Sequence, residues 1–166
     1  MQINFWIILL ASLVPLVLGF IWYNPKVLGK SWMEAAGVTE EKMKGANMLL
    51  IFGVTAIFAF CIAAIMQMLV IHQIHTYSLL SHQPDSKDPN SESMTFLKRF
   101  MELYGTSYRS FKHGAFHGAI AGIMLATPII GINALFERKG FKYIVINGGY
   151  WILCLALMGG ILCAFI

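Results

Sequence analysis

The chain has 166 residues, of which 58% are hydrophobic and only 12% are charged, and its mean hydropathy is +0.69. Soluble domains usually carry about 25% charged residues, so this composition excludes an ordinary water-soluble domain. Basic residues that flank membrane spans account for the formal net charge of +4. No nucleic-acid-binding motif accompanies that charge, so we expect no nucleic-acid partner.

The charged residues leave four long apolar stretches. No Asp, Glu, Lys or Arg lies in the ranges 1–25, 45–84, 113–136 and 143–166. A helix needs about 20 apolar residues to cross ~30 Å of hydrocarbon. The sequence therefore predicts an all-α, polytopic membrane protein whose partner is the lipid bilayer. It forms one membrane domain over residues 1–166, a four-helix bundle with transmembrane helices at about 3–23, 46–72, 113–135 and 143–165.

The basic residues predict the orientation of the chain in the membrane. The first connection carries Lys26, Lys30, Lys42 and Lys44, and the short third connection carries Arg138, Lys139 and Lys142. The second connection is longer and its basic residues are more thinly spread. The positive-inside rule therefore places the first and third connections in the cytoplasm and both termini outside.

Residues 76–111 are predicted to form a polar linker followed by an amphipathic helix. The stretch HQPDSKDPNSES (82–93) is polar and contains two prolines, which is typical of a flexible linker. After it, apolar residues recur at spacings of three and four with charged residues on the other side. This pattern predicts a helix that lies on the membrane surface, and a partner-binding helix is the alternative. The apolar positions are Met94, Leu97, Met101, Tyr104, Tyr108 and Phe111.

Three glycines predict close helix packing by the third span. Gly114, Gly118 and Gly122 form two overlapping G-x-x-x-G units on one helix face. Small residues of this kind let helix backbones approach each other in lipid. The partner is either another helix of the same chain or another subunit. In the fourth span, Gly148-Gly149 and Gly159-Gly160 could provide a complementary surface.

Four histidines are predicted to converge on one side of the membrane. His72 and His75 lie three residues apart where the second span ends, and His113 and His117 lie four apart where the third begins. Both spacings place the pair on one helical face. Such imidazoles can bind zinc or copper, ligate a haem or relay protons. Because histidines are also common at membrane interfaces, we expect no cofactor, with a zinc, copper or haem site as the alternative.

A second polar cluster is predicted at the opposite membrane face, and we call it the polar clasp. Unpaired amides in lipid cost free energy, so we expect Asn133 and Asn147 to face other helices. The cluster is either a structural contact that holds the helix ends together or a binding or transport site. Its members are Asn24, Asn133, Glu137, Asn147 and Tyr150.

Several motifs resemble a known family. They are WYNPKVLGKSWMEAAGVTEEKM (22–43), HGAFHGAIAGI (113–123), NALFERK (133–139) and INGGYWILCLALMGGIL (146–162). With these motifs, the chain resembles a bacterial family of small four-helix integral membrane proteins classed as a domain of unknown function. The resemblance implies four helices in a bacterial cytoplasmic membrane and brings no established activity, substrate or cofactor. It leaves residues 76–111 unmatched, and where family members often carry a histidine this chain has Trp151.

Three functions remain open from the sequence. The chain has no serine–histidine–acid set, no glycine-rich phosphate loop and no paired intramembrane carboxylates, so we expect no enzyme activity. The favoured function is a non-enzymatic membrane scaffold or accessory subunit. It would form a homo-oligomer or pack against another membrane protein, as the tandem glycines suggest. The alternatives are a small oligomeric transporter or channel and a histidine-based membrane protein that binds a metal or haem.

Overall fold

The computed structural model describes residues 4–166, which form ten α-helices and one π-helical turn, with no strand among them. The α-helices are α1 (Phe5–Ser12), α2 (Val14–Trp22), α3 (Gly29–Ala36), α4 (Glu40–Lys44), α5 (Met48–Val70), α6 (Gln73–Ser81), α7 (Glu92–Tyr104), α8 (Phe111–Ala121), α9 (Thr127–Phe136) and α10 (Phe141–Phe165). The π-helical turn, Gly122–Ala126, joins α8 to α9.

Four helical stretches are long and apolar enough to cross a membrane, which confirms the predicted all-α fold with four membrane-capable helices. They are Phe5–Trp22, Met48–Val70, Phe111–Phe136 and Phe141–Phe165. The predicted start of the first span at residue 3 lies outside the described residues. We call the side with the ends of α5 and α10 the carboxy-terminal face, and the side with the ends of α2 and α9 the opposite face.

Prolines explain why two of the spans are not continuous α-helices. Pro15 has no backbone N–H to donate to the preceding turn, and α1 therefore gives way to α2 at Leu13. The third span contains the π-helical turn just before Pro128, and there the Thr127 hydroxyl donates a 2.8 Å hydrogen bond to the Gly122 carbonyl. The Gly122 carbonyl thus accepts from both the backbone N–H and the side-chain hydroxyl of Thr127 where the regular helical pattern is interrupted.

Helix α10 is the centre of the fold, since α1, α2, α3, α5, α8 and α9 all pack against it. Half of the residues in the most apolar stretch of α10 are buried, whereas the corresponding stretches of the other three spans have far fewer buried residues. The main core lies between α1, α5 and α10. Its buried members are Ile8, Ala11, Ala63, Met66, Val70, Ile71, Leu155, Met158, Leu162 and Cys163.

The tandem glycines of the third span pack against α10 of the same chain. A methyl group added at Gly114 would overlap the Gly159 carbonyl oxygen, and one added at Gly118 would overlap that of Leu155. At Gly122 it would come within 2.5 Å of the Ile152 Cα. The two backbones are therefore in direct contact along two turns of α8 and into the π-helical turn. The structure thus selects the intrachain partner from the two that the sequence left open.

The amphipathic helix of the second connection is shorter than its predicted pattern. Helix α7 ends at Tyr104, so Tyr108 and Phe111 do not belong to it. Gly105 follows the last helical residue, and Ser110 starts the next helix by accepting a hydrogen bond from the His113 N–H. The pattern of spacings therefore continued across a break between α7 and α8, in which Tyr108 has a positive φ of 61°.

Helices α6 and α7 pack against each other at the carboxy-terminal face. Leu97 of α7 is buried. Gln73 of α6 is also buried, and its side-chain amide donates hydrogen bonds to the Tyr104 carbonyl (2.7 Å) and the Ser107 carbonyl (2.8 Å). The second connection is therefore an ordered unit tied to the end of α5, which α6 follows directly.

Helix α3 is joined to the beginning of α10 on the opposite face. The Lys142 ammonium lies 2.6 Å from the Glu34 carboxylate, and Lys139 donates to the Ala36 carbonyl at the end of α3. The hydrogen bond from Lys142 holds the pKa of Glu34 below its ordinary value. Because Glu34 is fully exposed, this pair orients α3 more than it stabilises the fold.

Replacing Gly118 with alanine should weaken the fold. The added methyl group overlaps the Leu155 carbonyl, so α8 must move away from α10. Overpacking of this kind costs about 1–3 kcal/mol. The free energy of unfolding in mixed detergent micelles measures the loss.

Gly53→Ala is the matched control, because Gly53 also lies within a span and nothing is within 4 Å of its added methyl group. This substitution should leave the free energy of unfolding unchanged or raise it by about 0.5–1 kcal/mol, since alanine favours the helix. Equal losses for the two variants would contradict direct backbone contact between α8 and α10.

Candidate functional site

Three imidazoles converge at the carboxy-terminal face. His72 comes from the junction of α5 and α6, and His113 and His117 come from the first two turns of α8. The candidate ligand nitrogens of the three residues all lie within 4.8 Å of one another. We call this group the histidine triad. Residues separated by more than forty positions in the sequence thus meet at one point.

The separations of the triad nitrogens are close to those of metal ligands. The Nε2 atoms of His72 and His113 are 3.0 Å apart. In a tetrahedral site with metal–nitrogen bonds of ~2.0–2.1 Å, ligand nitrogens lie about 3.3 Å apart. The remaining nitrogens lie within 4.8 Å of one another, so a single ion could be held once the rings bring all three nitrogens to about this distance.

The triad consists of imidazoles alone, with no carboxylate or thiol among its ligand groups. At 3.0 Å, one of the two Nε2 atoms carries a proton and donates it to the other. The ring centroids of His113 and His117 are 4.5 Å apart, and that of His72 lies about as close to each, at 5.0 and 5.1 Å. His72 is exposed and the other two are half-buried, so the triad is open at the surface of the protein.

His75 does not join the triad, and the predicted quartet is therefore wrong in this member. Its Nε2 lies 2.8 Å from the Met68 carbonyl oxygen at the end of α5. The prediction assumed that His72 and His75 share one helix face. The helix breaks at Ile71, which has an extended backbone (φ −114°, ψ 99°), and His72 is the residue that precedes the new helix α6. Both histidines follow this break, so what the break changes is the direction of α6, which brings His72 to His113 while His75 bonds back to the end of α5.

Tyr108 is a neighbour of the triad that sequence reasoning missed. Its ring centroid lies 5.2 Å from that of His113 at an interplanar angle of 31°, and 6.4 Å from that of His72. The apolar pattern placed Tyr108 on an amphipathic helix instead. Its backbone has φ 61°, a conformation that helical spacing cannot reveal.

The structure brings only part of the polar clasp together. The Asn147 side-chain oxygen accepts a 2.9 Å hydrogen bond from the Tyr23 hydroxyl, and the Tyr150 hydroxyl donates to the Pro15 carbonyl at 2.7 Å. Asn24 makes a local contact, in which its side chain accepts from the Lys26 N–H at 2.9 Å. The contacts of Asn147 and Tyr150 connect α10 to Tyr23 and to α2, whereas the Asn24 side chain has no hydrogen bond to α10 among the described residues and its predicted place in the clasp is wrong.

Asn133 and Glu137 do not belong to the polar clasp, and their predicted membership is wrong. Both side chains are exposed. The residue of α9 that is fully buried is Ala134. Its neighbour Asn133 therefore points about 100° away from that buried face, as the 3.6-residue helical period requires.

Two aromatic residues, Trp22 and Tyr23, make contacts at the opposite face of the kind that were predicted for Asn133 and Glu137. The Trp22 indole donates a 3.1 Å hydrogen bond to the Ile146 carbonyl, and the Tyr23 ring packs between those of Trp32 and Tyr150. The sequence pattern indicated only an interfacial aromatic belt at these positions.

Comparison with known proteins assigns the chain to a family. A family model matches residues 6–163, almost the whole chain. The chain belongs to the family described as "Protein of unknown function (DUF1761)". The matched range extends across residues 76–111, which the motif resemblance left out. No curated protein and no solved structure matches the chain significantly.

Replacing Tyr23 with phenylalanine should lower stability by removing the hydrogen bond to Asn147. The expected loss is about 0.5–1.5 kcal/mol in the free energy of unfolding. Tyr143→Phe is the control, since the hydrogen bonds of Tyr143 to other described residues (4–166) involve only its backbone, and this substitution should change stability little. If both variants unfold like the unmodified protein, the contact between Tyr23 and Asn147 does not hold the opposite face together.

Proposed function

We propose that the protein is an integral membrane protein that binds one transition-metal ion, zinc or copper, at His72, His113 and His117. The observation that carries the proposal is the convergence of three imidazoles from two separate spans within 4.8 Å. Side chains scattered on a membrane surface have no reason to meet in this way. Neutral imidazole is a preferred ligand of both metals.

The spacing of the triad favours a bare ion over haem. A porphyrin ring would have to pass between two axial imidazoles, whereas the Nε2 atoms of His72 and His113 are at hydrogen-bond distance. Three protein ligands leave one tetrahedral position free for water or another small ligand. We therefore propose an open metal site, and haem is the less favoured occupant.

The proposal extends to the location of the site. The positive-inside rule puts the first and third connections in the cytoplasm, so the carboxy-terminal face would lie outside a bacterial cytoplasmic membrane. The triad would then take its ion from the external solution. This placement, like the absence of enzyme activity, stays a prediction.

A transport function receives less support. Three cavities between the spans are lined almost entirely by apolar side chains, among them Leu69, Leu125 and Trp151 in the first. These cavities offer no polar path for an ion or a hydrophilic solute.

Zinc titration of the detergent-purified protein tests the metal site. We expect saturable binding of one Zn²⁺ per chain, measured by competition with a chromophoric chelator, and the same for Cu⁺. Changing His72, His113 or His117 to alanine should weaken binding by more than the ~10–100-fold typical of losing an outer-shell partner.

His75→Ala is the matched control, because His75 lies on the same face but outside the triad. Its affinity for Zn²⁺ should equal that of the unmodified protein, and thermal unfolding should show that all four variants are folded. Absence of saturable binding for both metals would end the proposal, and so would equal losses in the four variants.

An assembly role is the second candidate, and Asn133 supports it. Its amide is exposed on α9 within the third span, and a polar amide that faces lipid costs free energy unless it is paired. A second copy of the chain could pair the two asparagines across a two-fold interface. The tandem glycines no longer support this role, because α10 of the same chain occupies them.

Asn133→Leu should then weaken dimerisation about threefold or more, since interhelical hydrogen bonds in membranes average about 0.6 kcal/mol. The molar mass in mild detergent, measured by light scattering over a range of concentrations, gives the dimer fraction. Ile132→Leu alters the adjacent exposed residue without removing a polar group and should leave that fraction unchanged. A monomeric unmodified protein at all concentrations would rule out the interface.

A further inference from the structure

We infer that Tyr108 is a positioning residue for the metal site, whose ring holds the His113 imidazole in its ligating orientation. The inference rests on the proposed metal-binding function. It starts from the backbone of Tyr108, which adopts φ 61°. This left-handed conformation is unfavourable for every residue with a side chain, and most so for bulky ones.

Burial does not account for keeping a tyrosine in this conformation. The side chain is 71% exposed, so the ring gains little from removal of apolar surface from water. Glycine would adopt the same backbone conformation without the steric penalty. A strained residue that contributes little to the core points to a role for its side chain.

The surrounding structure holds the backbone of Tyr108 in place from two sides. On one side, Gln73, the residue next to His72, donates to the Ser107 carbonyl at 2.8 Å. On the other side, the Cys163 thiol lies 3.3 Å from the Tyr108 carbonyl oxygen. The segment that bears the ring is thus tied both to the α5–α6 junction and to α10.

Arg109 strengthens the tie to α10. Its Nε donates to the Cys163 carbonyl at 2.9 Å, and its Nη2 donates to the Ile166 carbonyl at the chain end. These bonds leave the connection between α7 and α8 little freedom to turn the Tyr108 ring away. The ring therefore stays beside the triad although solvent surrounds much of it.

The ring contacts the triad through His113. The two rings lie 5.2 Å apart and are tilted by only 31°, whereas the His72 ring meets Tyr108 edge-on at 85°. A ring packed at this tilt against His113 restricts rotation of the imidazole about its own side-chain bonds. Less freedom is then lost when a metal binds, which raises affinity.

Three variants at this position test the inference by Zn²⁺ affinity and thermal unfolding of the metal-free protein. Tyr108→Phe keeps the ring and should bind Zn²⁺ like the unmodified protein. Tyr108→Gly should unfold at the same or a higher temperature, because the strain is gone, yet its Kd should rise about tenfold. Tyr108→Ala keeps the strain without the ring and should bind as weakly as the glycine variant.

Arg138→Gly is the matched control. Arg138 is the other non-glycine residue with positive φ among residues 4–166, at 57°, and it lies on the opposite face. Its replacement should relieve strain in the same way and leave the Kd for Zn²⁺ unchanged. A purely structural role for Tyr108 predicts that both glycine variants behave alike.

A spectroscopic readout separates orientation of the ligands from general loosening. Co²⁺ bound in place of Zn²⁺ should give the same visible spectrum in the unmodified and Tyr108→Phe proteins, and an altered one in Tyr108→Gly. Unchanged Zn²⁺ affinity in Tyr108→Gly would overturn the inference and leave the metal site standing. A tenfold loss in Tyr108→Phe would also overturn it, since the hydroxyl rather than the ring packed against His113 would then act. Failure of the unmodified protein to bind metal would refute the proposed function itself.

Discussion

The close contact between α8 and α10 is the constraint on which the rest of the structure depends. Gly114 and Gly118 lie against the backbone of α10, so α8 can take only one rotation about its axis. His113 and His117 each precede one of these glycines, and both are therefore turned about 100° away from α10. The contact between α8 and α10 thus directs the two imidazoles to the junction of α5 and α6, where His72 lies. The same glycines that stabilise the membrane fold also build the candidate site.

At Ile71, by contrast, the regular helix is interrupted, and this interruption positions the side chain of His72. A continuous helix from α5 through α6 would have carried both His72 and His75 onward in the direction of α5. The extended residue redirects the chain, leaving His72 beside α8 and His75 against the end of α5. Gln73 then connects the redirected helix to the segment that carries Tyr108. A local break and a long-range hydrogen bond together assemble one surface at the carboxy-terminal face.

The two membrane faces are built on different chemistry. At the opposite face, Tyr23, Asn147 and Tyr150 satisfy one another or nearby backbone carbonyls, so their polar groups serve helix packing. At the carboxy-terminal face, the triad presents imidazoles to one another, and one of them is exposed. Polar groups that are already paired with the protein have little capacity left for a ligand. This difference directs the functional proposal to the histidines.

The sequence by itself determined the four spans, the close-packing face of the third span and the histidine pair on α8, because apolar length and helical spacing are local properties of the chain. Only the tertiary structure decided which helix the glycines meet, that His75 and Asn133 turn away, and that Tyr108 joins the triad. These outcomes depend on helix rotation, on a break at Ile71 and on a left-handed backbone at Tyr108. Long-range contacts impose all three, and no spacing of residues along the chain encodes them.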